Sequence, residues 1–180
     1  ERLEAMGGVA AIAVSHPHFY TGAALFADAF GATEYLHAAD REHVTYASPR
    51  IEFWDGERLA LPGGVTAIRA GGHFAGGTVL HWPAGAEGRG ALFTSDIIRV
   101  VPDRRFVTFL YSYPNQIPLP TREVERVGAA VEPFEFERIY GGWHGAVIPN
   151  GAKEVVRRSV ARYRRALEGR LDGATVPWPT

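Results

Sequence analysis

The run Val9-Ala10-Ala11-Ile12-Ala13-Val14, followed at once by Ser15-His16-Pro17-His18, constrains this chain more than any other stretch. Six small or branched apolar residues in a row predict a strand buried on both faces. Two histidines two positions apart follow its end. In extended chain, residues i and i+2 point to the same side, so His16 and His18 are expected side by side. Pro17 fixes its own φ and biases His16 toward an extended backbone. A pair of imidazoles is thus expected just past the carboxyl end of a buried strand, the edge at which open α/β sheets bind ligands. An isolated pair of this kind is more commonly two solvated loop histidines, and only the rest of the chain changes that reading.

With 180 residues the chain is long enough for one domain, residues 1–180, with a real core. A formal net charge of -1 provides no electrostatic footprint for nucleic acid or an anionic membrane. No apolar run approaches the roughly 18 residues of a membrane span, and no secretory signal is visible. The expected partner is therefore a small-molecule substrate, with no nucleic acid and no membrane. The absence of cysteine excludes disulfides, thiolate catalysis and Cys-ligated zinc, and it fits a cytoplasmic protein. Any transition-metal site must use His, Asp, Glu or Tyr, donors that suit zinc, iron or manganese.

Glu1 to Met6 reads as the end of a helix stopped by Gly7-Gly8. Thr21 is a candidate N-cap for a helix over Ala23 to Phe30 that ends at Gly31. Thr33 to His37 reads as a strand, and Asp40 as the cap of a helical turn through Val44. Arg50 to Trp54 and Arg58 to Leu61, joined at Asp55-Gly56, read as a hairpin. Strands are expected over Val65 to Ala70, Val79 to Trp82 and Ala91 to Thr94. Val100 to Pro120, with Tyr111, Tyr113 and four of the twelve prolines, reads as a long ordered loop able to line a pocket. Thr121 is expected to cap a helix through Val131, Phe136 to Tyr140 to form a last strand, and Asn150 to cap a final helix. Val156, Val160, Tyr163 and Leu167 keep a 3.6 period on that helix, while Arg157, Arg158, Arg164 and Arg165 form its solvated face. The tail beyond Gly169 reads as loose.

Four strand ends carry a candidate ligand: His16 with His18, His73, Asp96 and His144. One such residue would mean little. Five at four strand ends are hard to explain by packing, because buried histidine and aspartate are costly without partners. Three histidines, alone or with an aspartate, suit zinc, which lowers the pKa of water to about 7. His37, His43 and His81 stand outside this pattern and read as ordinary surface or packing residues.

From Val9 to the final helix the chain resembles the metallo-β-lactamase fold superfamily. The family's HxHxDH motif corresponds to His16-Pro17-His18-Phe19-Tyr20-Thr21, and its glycine-flanked histidine to Gly71-Gly72-His73-Phe74-Ala75-Gly76-Gly77. Its apolar strand ending in Asp corresponds to Leu92-Phe93-Thr94-Ser95-Asp96, and its late histidine to His144. The resemblance implies an αββα sandwich of α/β class with a metal site in a cleft between the sheets. His16, His18 and His73 would hold a first metal; Asp96 would bridge to a second, to which His144 would belong. It also implies hydrolysis of an ester, thioester, lactone, amide or phosphoester through a metal-activated water.

Two departures shape the expectation. Tyr20 and Thr21 stand where the family has Asp and His, which leaves Asp96 and His144 for a second ion. One zinc ion per chain is therefore expected, with iron or manganese as other candidates. Asp96 would hold the metal or orient the nucleophile, and Tyr20 would donate to a developing oxyanion or protonate a leaving group. The family also places several strands before the HxH strand, which this chain lacks, so either the sequence is an N-terminally incomplete fragment or the first sheet is incomplete. An incomplete first sheet would expose a strand edge and invite pairing with a second copy. Besides a hydrolase, the same residues allow a non-catalytic binding module of this fold, or a mononuclear iron enzyme.

Overall fold

The computed structural model describes residues 1–170. The loose tail expected beyond Gly169 lies almost wholly outside them. A short helix α1 (Arg2–Ala5) leads to strand β1 (Ala11–Ala13), a 3-10 turn at Pro17–Phe19 and helix α2 (Tyr20–Phe30). Strand β2 (Thr33–His37), a 3-10 turn over Ala38–His43 and strand β3 (Ile51–Trp54) complete the first half. The second half opens with β4 (Arg58–Leu61), β5 (Val65–Arg69), β6 (Thr78–Trp82), a turn α3 (Gly85–Gly88) and β7 (Ala91–Ser95). Short strands β8 (Arg99–Val100), β9 (Val107–Thr108), β10 (Leu110–Ser112) and β11 (Ile117–Pro118) follow. The chain then forms α4 (Thr121–Val131), β12 (Arg138–Gly141), β13 (Val147–Ile148) and α5 (Ala152–Leu167).

These elements make the αββα sandwich. The small sheet is parallel, in the order β1-β2-β3. The large sheet runs β13-β12-β7-β6-β5-β4, with only β12 and β7 parallel. Alternation along the large sheet decides its faces. Val79, Leu92, Ile139 and Ile148 point outward and are buried with Val124, Val127 and Val131 of α4 and Val155 and Val156 of α5. Each such side chain, fully buried, contributes about 1.5–3 kcal/mol of hydrophobic free energy. Leu80, Phe93 and Tyr140, on neighbouring strands in register, point inward toward the small sheet. That inner face is only partly covered: Phe93 is 40% exposed and Trp82 38%. A slot of about 290 Å³ runs along it, walled by Ala13 and Val14 on one side and Leu80, Phe93 and Tyr140 on the other.

Several sequence expectations need correction. β1 is three residues long, half-buried, and stands at the edge of its sheet, so Val9 to Val14 is not a strand buried on both faces. β3 and β4 form no hairpin. β3 pairs in parallel with β2, β4 pairs with β5, and the Asp55-Gly56 link carries the chain from one sheet to the other. The reason lies with His37, whose ring packs edge-on to Trp54 at 4.4 Å and whose Nε2–H donates to the Gly56 carbonyl at 3.0 Å. Val100 to Pro120, expected as a long ordered loop with a short helix or strand, holds two small antiparallel pairs, β8-β9 and β10-β11. Gly31 does end α2, in a left-handed conformation at φ 65°. No helix of the described residues is long and apolar enough to cross a membrane.

The small sheet buries acid. Glu34 and Asp40 are both fully enclosed, and each keeps one carboxylate oxygen without a hydrogen-bond partner among the described residues. Glu34 accepts from the Tyr46 hydroxyl. Burial nevertheless outweighs that bond and raises the Glu34 pKa above its ordinary 4.5. A carboxyl whose folded pKa is raised favours the fold while protonated, and loses that contribution as pH rises through the folded pKa. Glu34→Gln keeps an acceptor for Tyr46 and removes the ionisation. Its stability relative to wild type should therefore increase from about pH 4.5 upward. Urea denaturation of both proteins across pH 4 to 8 reads this directly, and parallel curves would contradict it.

Candidate metal centre

The end of β1 is fastened to the start of β6, since the Ser15 carbonyl accepts the Thr78 N–H at 2.8 Å. His16 follows in fully extended backbone, φ -172° and ψ 168°. Pro17 then opens the 3-10 turn, so His18 sits on a turn and not in a continuing strand. The two imidazoles still meet, because the turn brings His18 back beside His16, with ring centroids 5.0 Å apart. His73 comes from the glycine-rich loop between β5 and β6. Its ring lies 5.1 Å from His16 and 5.0 Å from His18, which makes the three centroids nearly equilateral.

One donor nitrogen from each ring lies within 4.8 Å of the other two. His73 Nδ1–H donates to the Tyr111 carbonyl at 2.9 Å, which fixes the tautomer and leaves Nε2 facing the centre. That Nε2 stands 3.4 Å from His18 Nδ1. His16 Nδ1 is 2.9 Å from the Ser15 hydroxyl, while its Nε2 is buried without a partner among the described residues. Burial, then the neighbouring His73 and His18, push the His16 pKa down from 6.5 to about 3. Burial likewise lowers His73. These rings are neutral at pH 7, the form in which imidazole binds a metal.

Asp96 stands behind this triangle. Ser95, at the end of β7, takes a left-handed φ of 47° and turns the chain there. The Tyr113 hydroxyl donates to the Asp96 carbonyl, and the Thr94 hydroxyl donates to the Ile98 carbonyl at 2.7 Å, so the turn is held from both sides. Asp96 Oδ2 lies 3.9 Å from His16 Nε2, and its Oδ1 is buried without a partner among the described residues. A buried imidazole nitrogen without a partner is costly for a bare protein. A divalent cation among the three rings would give His16 Nε2 its partner, with the Asp96 carboxylate 3.9 Å away through Oδ2. The residues present therefore fit a metal ion.

The remaining expected site residues lie elsewhere. His144 occupies an exposed turn between β12 and β13, outside the triangle. That turn packs on the Asp96 side, because a methyl group at Gly142 would sit 3.3 Å from Ser95 Cα, and Arg104 Nη2 donates to the Gly145 carbonyl at 2.9 Å. Tyr20 is buried at the start of α2, where burial and then Asp40 and Glu34 raise its pKa, so the phenol keeps its proton. Thr21 is exposed. An open cleft of about 700 Å³ extends from the triangle, lined by His18, His73, Phe74, Tyr111, Tyr113 and Arg126 among others. The aromatic content of Val100 to Pro120 signalled part of this wall, and Tyr113 packs edge-on to His73 at 4.9 Å. Asp40 and Arg126 carried no local signal, since each meets the site through a residue distant in sequence.

Asp40 Oδ1 accepts the N–H of Gly76, three residues past His73, at 2.7 Å. A methyl group at Gly76 would lie 2.8 Å from Asp40 Oδ2 and 2.9 Å from His37 Cβ. Gly76→Ala should cost about 1–3 kcal/mol by overpacking, and the shifted loop should weaken zinc binding. Urea denaturation with chelator competition tests both. A folded variant with undiminished zinc affinity would show that this packing does not govern His73.

No family model matches the chain. It is 47% identical over 171 residues to the uncharacterized protein YmaE of Bacillus subtilis (strain 168), an alignment covering 95% of this chain. The chain spans 62% of the length of that curated relative. Among solved structures it is similar to native FEZ-1 metallo-β-lactamase from Legionella gormanii, at TM-score 0.60 and 17% identity over 95% of this chain and 80% of that one. A B3 metallo-β-lactamase described as the first with an active-site glutamic acid superposes at TM-score 0.60 and 20% identity, over 94% and 73% of the two chains. The metallo-β-lactamase SMB-1 in complex with mercaptoacetic acid superposes at TM-score 0.59 and 21% identity, over 94% and 78%. With two facing sheets between helices, and three histidines meeting where the sheets join, the chain has the metallo-β-lactamase fold.

Proposed function

We propose that this chain is a metal-dependent hydrolase with a single ion, zinc by ligand type, held by His16, His18 and His73. The observation that carries the reading is the convergence of one donor nitrogen from each of the three rings. Fold neighbours that are β-lactamases favour hydrolysis as the chemistry, and an ester, thioester, lactone, amide or phosphoester is the bond class proposed. When bound, the metal would supply a Lewis acid that polarises the scissile group and acidifies water.

The chain's own residues do the rest. The Tyr111 carbonyl keeps the His73 lone pair aimed inward, and the Ser15 hydroxyl braces His16. Asp96, whose Oδ2 faces His16 Nε2 at 3.9 Å, orients the attacking water. His16 and Asp96 are buried and exclude bulk solvent from one side, whereas His18 is exposed and opens to the cleft. Tyr20 belongs to the frame in this reading, because its phenol is held among core residues. A second ion would find Asp96 and His144 where about four ligands are wanted. His144 is left to meet substrate. Iron or manganese would suit the same donors.

Elemental analysis should give one tightly bound equivalent in the wild type, rising toward two in Tyr20→Asp with Thr21→His. Two tight equivalents in the wild type would overturn the single-ion assignment. Asp96→Asn should retain the metal and lose about 10²-fold or more in kcat on an ester, lactone and phosphodiester panel. A zinc-loaded wild type that turns over nothing on the panel would leave a metal-binding module in place of an enzyme.

A further inference from the structure

The cleft that begins at His18 and His73 ends at a cation. Arg126 lies on α4, whose Val124, Val127 and Val131 anchor it on the large sheet. The guanidinium is laid over Gly71: a methyl group there would collide with Nη1 and stand 2.8 Å from Cζ. Gly71 also has φ +71°, so glycine serves the backbone and the berth together. Among the described residues no acceptor takes a hydrogen bond from Arg126. Its nearest carboxylate is Glu123, at 4.0 Å, and Arg122 approaches Glu123 more closely, at 3.3 Å. The side chain is 37% exposed and lines the same cleft as the two histidines. Tyr111, 61% exposed, forms the wall beside it.

A planar fork of five donors, berthed over Gly71 and paired among the described residues only with Glu123 at 4.0 Å, matches a carboxylate or phosphate. We propose that Arg126 binds the oxyanion of the substrate, so that the hydrolase acts on an organic anion whose charged end lies along the cleft from the scissile bond. This rests on the hydrolase reading for what happens at the histidines, but not for the binding of the anion. Tyr111 offers an apolar, aromatic surface to the part of the substrate between the two ends. Glu123 tempers the site, because its charge opposes the incoming anion.

The test separates the two readings. In metal-free protein, the Arg126 Nε–H resonance is identified by its loss in Arg126→Met and followed while glutarate, inorganic phosphate or neutral glutaramide is added. The expected result is a saturable shift with an anion and none with glutaramide. Whichever anion saturates at the lower concentration identifies the source as carboxylate or phosphate. Glu123→Gln should tighten that binding severalfold, and Arg165→Gln, exposed on α5 and outside the cleft lining, should leave it unchanged. In zinc-loaded protein, the kcat/KM preference for 4-nitrophenyl hydrogen glutarate over 4-nitrophenyl butyrate should fall about tenfold in Arg126→Met, the scale of a lost charge-assisted hydrogen bond. Absence of a shift with either anion, or an anion affinity that isothermal titration calorimetry finds unchanged in Arg126→Met, would overturn the proposal even if the neutral ester is hydrolysed. Saturable anion binding with neither ester hydrolysed would retain the Arg126 site and remove the hydrolase.

Discussion

Everything at this centre depends on how two facing sheets are held together at one edge. His16 and His18 leave the small sheet, and His73 leaves the large one, so the triangle exists only if the sheets keep their relative position. Two hydrogen bonds do this at the site itself. The backbone bond from Thr78 N–H to the Ser15 carbonyl joins the residue before His16 to the first residue of β6. The bond from Gly76 N–H to Asp40 Oδ1 joins the turn after β2 to the loop that carries His73. Both are buried or nearly so, where an unmade partner would cost the full desolvation of the group left behind. The loop is closed on itself as well, because the N–H groups of Ala70 and Gly71 both donate to the Gly77 carbonyl. A ligand on a glycine-rich loop is thereby as firmly placed as one on a strand.

The same geometry sets the electrostatics. Burial removes water from His16 and lowers its pKa to about 3, so proton competition for that nitrogen is weak through the neutral range. The opposite shift falls on the carboxyls of the small sheet, where burial raises Glu34 and Asp40 and Tyr20 stays a neutral phenol beside them. Neutral rings at the site and acids with raised pKa values behind it come from one cause, a dry junction between sheets. A cation among the imidazoles suits that junction, because neutral rings there offer it lone pairs.

Much of this was legible in the sequence because it is local. Thr33 to His37 alternates and is bounded by Gly31, and it is a strand over those same residues. The helix expected to follow a Thr121 cap and run through Val131 is there, although Pro120 holds the cap position and Thr121 is its first residue. The three histidines could be picked out because each follows an apolar strand and stands beside proline or glycine. What stayed hidden is non-local. The partner of β3 is chosen by the contact of Trp54 with His37, seventeen residues away, and not by the turn that follows it. Asp40 reads as a helix cap because its true partner, Gly76, is far along the chain. Arg126 reads as one more charge on the open side of an amphipathic helix, and only the bare Gly71 beneath it reveals a berth. The edge position of β1 is equally invisible, since an apolar run has the same composition at an edge as at a centre.

The departure at Tyr20 and Thr21 follows from where each half of the motif is anchored. His16 is fixed by the inter-sheet bond at Ser15, and His18 lies on the turn that Pro17 opens. Residues 20 and 21 are instead the first two of α2, and their orientation is decided by how that helix lies on the small sheet. Tyr20 is drawn into that packing with Ala23 and Ala27, and its ring occupies space beside Asp40 and Glu34. An aspartate in its place would set a third carboxyl next to two that are already buried and raised in pKa. The metal-free fold would resist that charge, and an added cation would relieve it. The small sheet thus supports a tyrosine where a second metal site would need an acid, and the His triad survives because the sheets, not the helix, hold it.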